Sequence, residues 1–188
     1  LPQVELFPLS LYQVLSANQM YWIDSFQLHI GFDINNNILE EFTSLIQIQG
    51  LDAGNGLHLP EINLENYFLV DTKLPEITSI SSANPIISDG DIPTGYQTII
   101  ELDEPCNTSQ IPNFFFSGTN YFNSTINHNT QNSTWNSTQE YQAEFNLTDF
   151  NENVASVDVL IENIEDVHGN PLLNPNGSNI CSIDTKNP

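Results

Sequence analysis

The chain has 188 residues, 24 of them acidic, against two lysines and no arginine, for a net charge of −22. This balance argues against binding nucleic acid, which needs Lys or Arg against phosphate, and against an anionic membrane surface. Hydrophobic content of 39%, with eleven Phe and six Tyr, argues against disorder, leaving a folded, acidic protein whose surface suits divalent cations or a salty exterior.

No stretch is long and apolar enough to span a bilayer. No basic start followed by an apolar run marks a signal peptide, and Leu1 fits a processed or excised chain. The elements read as strands throughout, with no convincing helical period. Trp22 comes first, read as a plug for a hydrophobic core. Leu28, Ile30, Phe32 and Ile34 line one face of a strand, and the turn-rich Asn36–Glu40 leads to a second strand with Phe42, Ile46 and Ile48. Asp52–Gly56 is a glycine turn. Asp71-Thr72-Lys73-Leu74-Pro75 then forms a joint that Pro75 keeps extended and stiff.

The same series then recurs. Trp22, Phe32, Gly56 and Asp71-Thr72-Lys73 reappear as Trp135, Phe145, Gly169 and Asp184-Thr185-Lys186, each shifted by 113 residues, and Pro75 reappears as Pro188. A fixed period marks an array. It divides the chain into a complete module, 76–188, and a module, 1–75, that lacks its first 38 residues (113 minus 75). Residues 1–75 carry nine acids and one Lys (−8), and 76–188 carry fifteen and one (−14). The second module adds an acidic loop, Asp89-Gly90-Asp91, and a strand in which Tyr96, Thr98, Ile100 and Leu102 alternate with polar residues or Ile99. Phe114-Phe115-Phe116 cannot all face one dry side of a strand, so one of them faces a groove, an adjoining module or a partner. Residues 117–140 read as strand plus loop with Trp135 as the core plug; stacking of a ligand on Trp135 is the functional alternative. Tyr141, Ala143, Phe145 and Leu147 line the next strand, and Ala155, Val157, Val159 and Ile161 another after the turn Asp149–Asn153. Gly169 holds the turn position of Gly56, where a positive φ is expected. One-sided alternation predicts antiparallel sheets paired face to face.

Cys106 and Cys181 lie early and late in the complete module, and Phe68 stands where Cys181 would recur. A disulfide between adjacent first and last strands is one reading. It would close a loop of 75 residues (181 minus 106) and contribute about 4 kcal/mol on a chain-entropy estimate. Two buried free thiols are the other. Six Asn-x-Ser/Thr sites, Asn107, Asn123, Asn132, Asn136, Asn146 and Asn176, all fall in 76–188 and mark surface positions if the chain is exported through a glycosylating system.

Calcium is the one cofactor the acids suggest, since it takes six to eight oxygen ligands. Asp89 and Asp91 can point at one ion, and Asp71 and Asp184 hold equivalent places in the joints, so these four are the candidate metal ligands; turn capping is the ordinary reading of the same residues. His29, His58, His128 and His168 form no ligand or triad spacing and read as surface residues. No phosphate loop occurs, and no pair of acids is singled out for glycosidase chemistry. No catalytic residue is assigned, and the chain is not expected to be an enzyme.

In order, Val70–Thr78, the acidic loop Ile87–Ile92, the strand ending at Glu104-Pro105, Trp135, the 141–147 strand and Asp166–Asn170 resemble tandem bacterial Ig-like modules of large cell-surface, adhesin-like proteins. The sequons, the threonine-poor joint and the cysteine pair depart from that pattern. The resemblance implies an all-β chain of two tandem antiparallel Ig-like β-sandwiches, the first without its leading strands, at an extracellular or cell-surface address, with a mechanical or adhesive role and no catalysis. The expected function is a structural repeat in a stalk, fibre or filament. Neighbouring copies or modules are its partners, because the shortened sandwich recruits strands from them. The alternative is an adhesive or carbohydrate-binding module that meets a surface glycan or protein through Tyr21, Trp22 or Phe114–Phe116.

Overall fold

In a computed structural model, residues 3–7, 15–24, 27–34, 42–52, 57–118 and 125–187 are described. The expected turns at 36–40 and at Gly56, and the sequon at Asn123, lie outside them. The chain divides into two compact units, Leu1–Lys73 and Leu74–Pro188. Both are all-β, and no α-helix occurs among the described residues.

Among its described residues, unit 2 holds nine strands: β6 (Ile77–Ser81), β7 (Ile86–Ser88), β8 (Tyr96–Leu102), β9 (Asn113–Gly118), β10 (Ile126–His128), β11 (Thr134–Ser137), β12 (Glu140–Leu147), β13 (Asn153–Glu162) and β14 (Asn176–Asp184). One sheet runs β10-β12-β8-β6, with β11 also on β12, and the other runs β7-β14-β13-β9. All pairs are antiparallel except β7 with β14, which is parallel. Ile100, Tyr141, Ala143 and Phe145 from the first sheet join Val157, Ile161, Cys181 and Ile183 from the second in one buried core, so the arrangement is sandwich-like.

The strand alternation read from β8 and β12 holds: Tyr96, Thr98, Ile100 and Leu102 are buried, as are Tyr141, Ala143, Phe145 and Leu147. In β13 it slips. The register shifts between Val154 and Val157, so Val154 is buried and Ala155, expected inside, is exposed. A bulge moves one residue to the other face without leaving a sequence signal. Gly169 has φ +92°, as the turn requires. The repeated Asp-Thr-Lys earns its place through its middle residue. Thr185 is fully buried; its hydroxyl accepts the Glu152 N–H at 3.0 Å and its N–H donates to the Glu152 carbonyl at 2.8 Å.

Unit 1 holds β1 (Gln3–Phe7), β2 (Leu15–Trp22), β3 (Leu28–Ile34), β4 (Phe42–Gln49) and β5 (Ile62–Val70). They form a sheet β1-β4-β5 and a hairpin β2-β3. The 113-residue period recurs in part of the pairing. Trp22 opposes Leu28 and Tyr21 opposes His29, as Trp135 opposes Tyr141 and Thr134 opposes Gln142. Ile46 opposes Leu64 and Gln47 opposes Asn63, as Val159 opposes Gly177 and Leu160 opposes Asn176. At β1 the register departs from the period: Gln3 opposes Gln49, whereas Phe116 opposes Val159 and Glu162 opposes Asn113. Unit 1 thus repeats the strand order of the β9–β14 part of unit 2 and part of its register. Among the described residues, β3 is paired on one side only, where its counterpart β12 also pairs with β8 through Glu140–Phe145.

The described part of unit 1 buries Ile46, Leu51 and Val70 and leaves Tyr21, Trp22, Ile23, Leu57, Leu59, Ile62 and Leu69 exposed. Trp22, expected as a plug, is 46% exposed. Its counterpart Trp135 is half-buried and donates its indole N–H to the carbonyl of Gln110 in a neighbouring loop.

Candidate functional site

Glu104, Cys106 and the Asp166 loop meet at one end of unit 2, where the chain leaves β8 and meets the loop after β13, while Cys181, Asp91 and Asp184 lie elsewhere. Cys106 forms an isolated bridge with Asp166, and the Asn107 N–H donates to the Glu165 carbonyl at 2.9 Å. Glu104 and Asp166 are both buried, and their carboxylate oxygens lie within 4.8 Å of each other. Asp166 organises its loop. Its Oδ1 accepts the N–H of His168 at 2.7 Å and of Asn170 at 2.9 Å, and its Oδ2 accepts the Asn170 amide at 2.7 Å. Glu104 and Asp166 are 62 positions apart (166 minus 104), so no local spacing could have announced their approach.

The disulfide reading is corrected. Cys106 and Cys181 are both buried and free. Cys181 opposes Val157 and lies beside Tyr96, at the start of β8, whereas Cys106 follows the other end of that strand. Seven strand residues at about 3.3 Å each separate the two by roughly 20 Å, far beyond the ~7 Å between Cα atoms that a bridge allows. Burial pushes the Cys106 thiol up to about 12, helped by the Glu104, Asp166 and Asp103 carboxylates. Burial also pushes Cys181 up to about 11. The thiolate is the reactive form, so native protein at pH 8 should resist a thiol reagent. Unfolding in guanidinium without reductant should release two reactive thiols. Finding none after unfolding would restore the bridge.

Three of the four candidate calcium ligands, Asp91, Asp184 and Asp71, are engaged by the protein itself, and Asp89 is exposed. Asp91 closes a single 3₁₀ turn, Asp89–Asp91: its carboxylate accepts the N–H and hydroxyl of Ser88, each at 2.8 Å, and the Asn84 amide at 2.9 Å. The bonds from Ser88 hold its pKa below the usual carboxylate range. Asp184 accepts the Asn153 amide at 3.2 Å, and Asp71 accepts the Lys73 N–H at 3.1 Å. Asp89, Asp91 and Asp184 belong to no group of three ligand side chains within 4.8 Å among the described residues. Turn capping accounts for the geometry of Asp91.

Of the sequons, Asn132, Asn136, Asn146 and Asn176 are exposed and Asn107 is half-buried. His128, read as a surface residue, is half-buried among aromatic rings, 4.6 Å from Phe114 and 5.6 Å from Phe145, and desolvation lowers its pKa. The Phe triplet resolves as the strand period demands: Phe114 and Phe116 pack on the core and Phe115 is 52% exposed.

Trp135 is half-buried. It meets Tyr141 edge-on at 5.1 Å and donates its indole N–H to the Gln110 carbonyl at 2.8 Å. The Gln110 amide in turn donates to Glu165 at 2.8 Å, which ties the tryptophan to the Asp166 loop. No helix among the described residues is long and apolar enough to cross a membrane. No protein-family model, curated protein or solved structure matches this chain.

Proposed function

We propose that the chain is a structural repeat protein of the cell exterior, part of a stalk, fibre or filament, and that a strand from a neighbouring copy or module fills the open side of β3. One observation carries this reading: among the described residues β3 pairs with β2 alone, whereas its counterpart β12 also pairs with β8. An unpaired edge offers a row of backbone donors and acceptors to another chain. The added strand would run antiparallel along Gln27–Phe32, the counterpart of Glu140–Phe145. The exposed apolar residues of unit 1 give that addition hydrophobic surface to cover. Exposed sequons suit an exported address. A net charge of −22 sets copies repelling one another, so association should strengthen with salt.

Light scattering across a wide concentration range tests the proposal. The mass should rise from 21.1 kDa in whole multiples, and the amides of β3 should gain protection from hydrogen exchange as it does. A peptide with the sequence of Tyr96–Leu102 should compete. A single 21.1 kDa species under all conditions, with rapidly exchanging β3 amides and no response to the peptide, would overturn the proposal.

A further inference from the structure

The wall of unit 2 around Trp135 encloses an open cleft of about 500 Å³, within the range of roughly 300–1,000 Å³ usual for small-molecule sites. Trp135 supplies its aromatic surface, backed by the buried Tyr141, and five hydroxyl residues, Thr108, Ser133, Thr134, Ser137 and Thr138, line it, of which Ser133 already bonds Asn129 and Glu144. In a chain with 24 acids, no charged residue lines this cleft. Gln110 adds a further polar group. With its amide N–H committed to Glu165, its Oε1 is buried and has no hydrogen-bond partner.

We propose that this cleft seats a neutral sugar ring. A charged ligand would find no counter-charge in the lining, and a purely apolar one would leave the rim hydroxyls of Thr108 and Thr138 unused. A pyranose matches both parts: its C–H face lies on an aromatic ring while its hydroxyls exchange hydrogen bonds with the rim. The bond from Trp135 to the Gln110 carbonyl fixes the indole before any ligand arrives, so little side-chain entropy is lost on binding.

Two sources could bring such a ring, and the sequence places one at the rim. Thr108, Ser133, Thr134, Ser137 and Thr138 belong to the sequons of Asn107, Asn132 and Asn136. A glycan on any of these asparagines is rooted beside the cleft; a free polysaccharide is the other source. The seat does not depend on assembly through β3, and its test reads a single chain.

The test uses the full chain, with Trp22→Phe so that fluorescence reports Trp135 alone, made once in a host without N-glycosylation and once in a glycosylating host. The first protein is titrated with neutral oligosaccharides of glucose, galactose, mannose and N-acetylglucosamine. Saturable change in emission is expected, and Thr108→Val and Thr138→Val should each weaken binding about fivefold without changing the melting temperature. If the chain's own glycan is the occupant, the glycosylated protein shows shifted emission and ignores added sugar. If a free polysaccharide is the occupant, both proteins bind. No response to any oligosaccharide up to tens of millimolar, together with identical emission from the two proteins, overturns the proposal.

Discussion

Replacing Phe145 with alanine should cost about 3–5 kcal/mol, a large share of the stability of a unit this size. The ring is 2% exposed. It stands on β12 in one sheet and meets Phe114 and Phe116 of β9, in the other sheet, edge-on, both at 5.3 Å. Tyr96 lies 6.0 Å away on the neighbouring strand. Phe145 therefore joins the two sheets, and its removal opens a cavity against residues of both. Neighbouring rings add about 0.5–1.5 kcal/mol per pair beyond burial, so the loss belongs at the upper end. Phe145→Leu keeps much of the volume and should cost well under half as much. Denaturant unfolding of both variants provides the check, and a loss below about 1 kcal/mol for alanine would mean that the sheets do not close over this ring.

Asp166→Ala should be the next most damaging change, at about 2–4 kcal/mol. The carboxylate is almost fully buried and holds two backbone N–H groups and one amide. Each donor left unpartnered costs about 1–3 kcal/mol. Asp166→Asn retains one oxygen for the two backbone donors and sets an NH₂ against the Asn170 amide. It also removes the like charge facing Glu104. Its cost should therefore be about half that of alanine or less. Equal losses for the two variants would show that charge, rather than hydrogen-bond acceptance, holds the loop.

These residues show how far the sequence could be read. Phe145 was legible because burial in β12 alternates without interruption, and period-two alternation is a local signal. Ala155 was misplaced because a bulge two residues long reverses the faces and nothing in the composition records it. Trp22 and Trp135 occupy the same place in the repeat and the same pairing register, yet one is exposed and the other half-buried and bonded to the Gln110 carbonyl, which is distant in sequence. The cysteine pair failed for a related reason: the sequence gives the loop between Cys106 and Cys181, but the length of β8 sets their separation. The sequence shows Asp91 in an acidic loop, while the Ser88 and Asn84 donors that occupy its carboxylate decide what it does. Asp166 and Glu104 met only when the fold closed.

The parallel pairing of β7 with β14 has a mechanical consequence. β7 lies near the start of unit 2 and β14 near its end, and Ile86, Ile87 and Ser88 run alongside Ser182, Ile183 and Asp184 in the same direction. A pull applied through the chain at the two ends of the unit would slide these strands lengthwise past each other. The load then falls on all their hydrogen bonds together, in shear, whereas an antiparallel hairpin pulled at its open end unzips one bond at a time. Such a clamp resists tension along the chain while remaining easy to peel from the side.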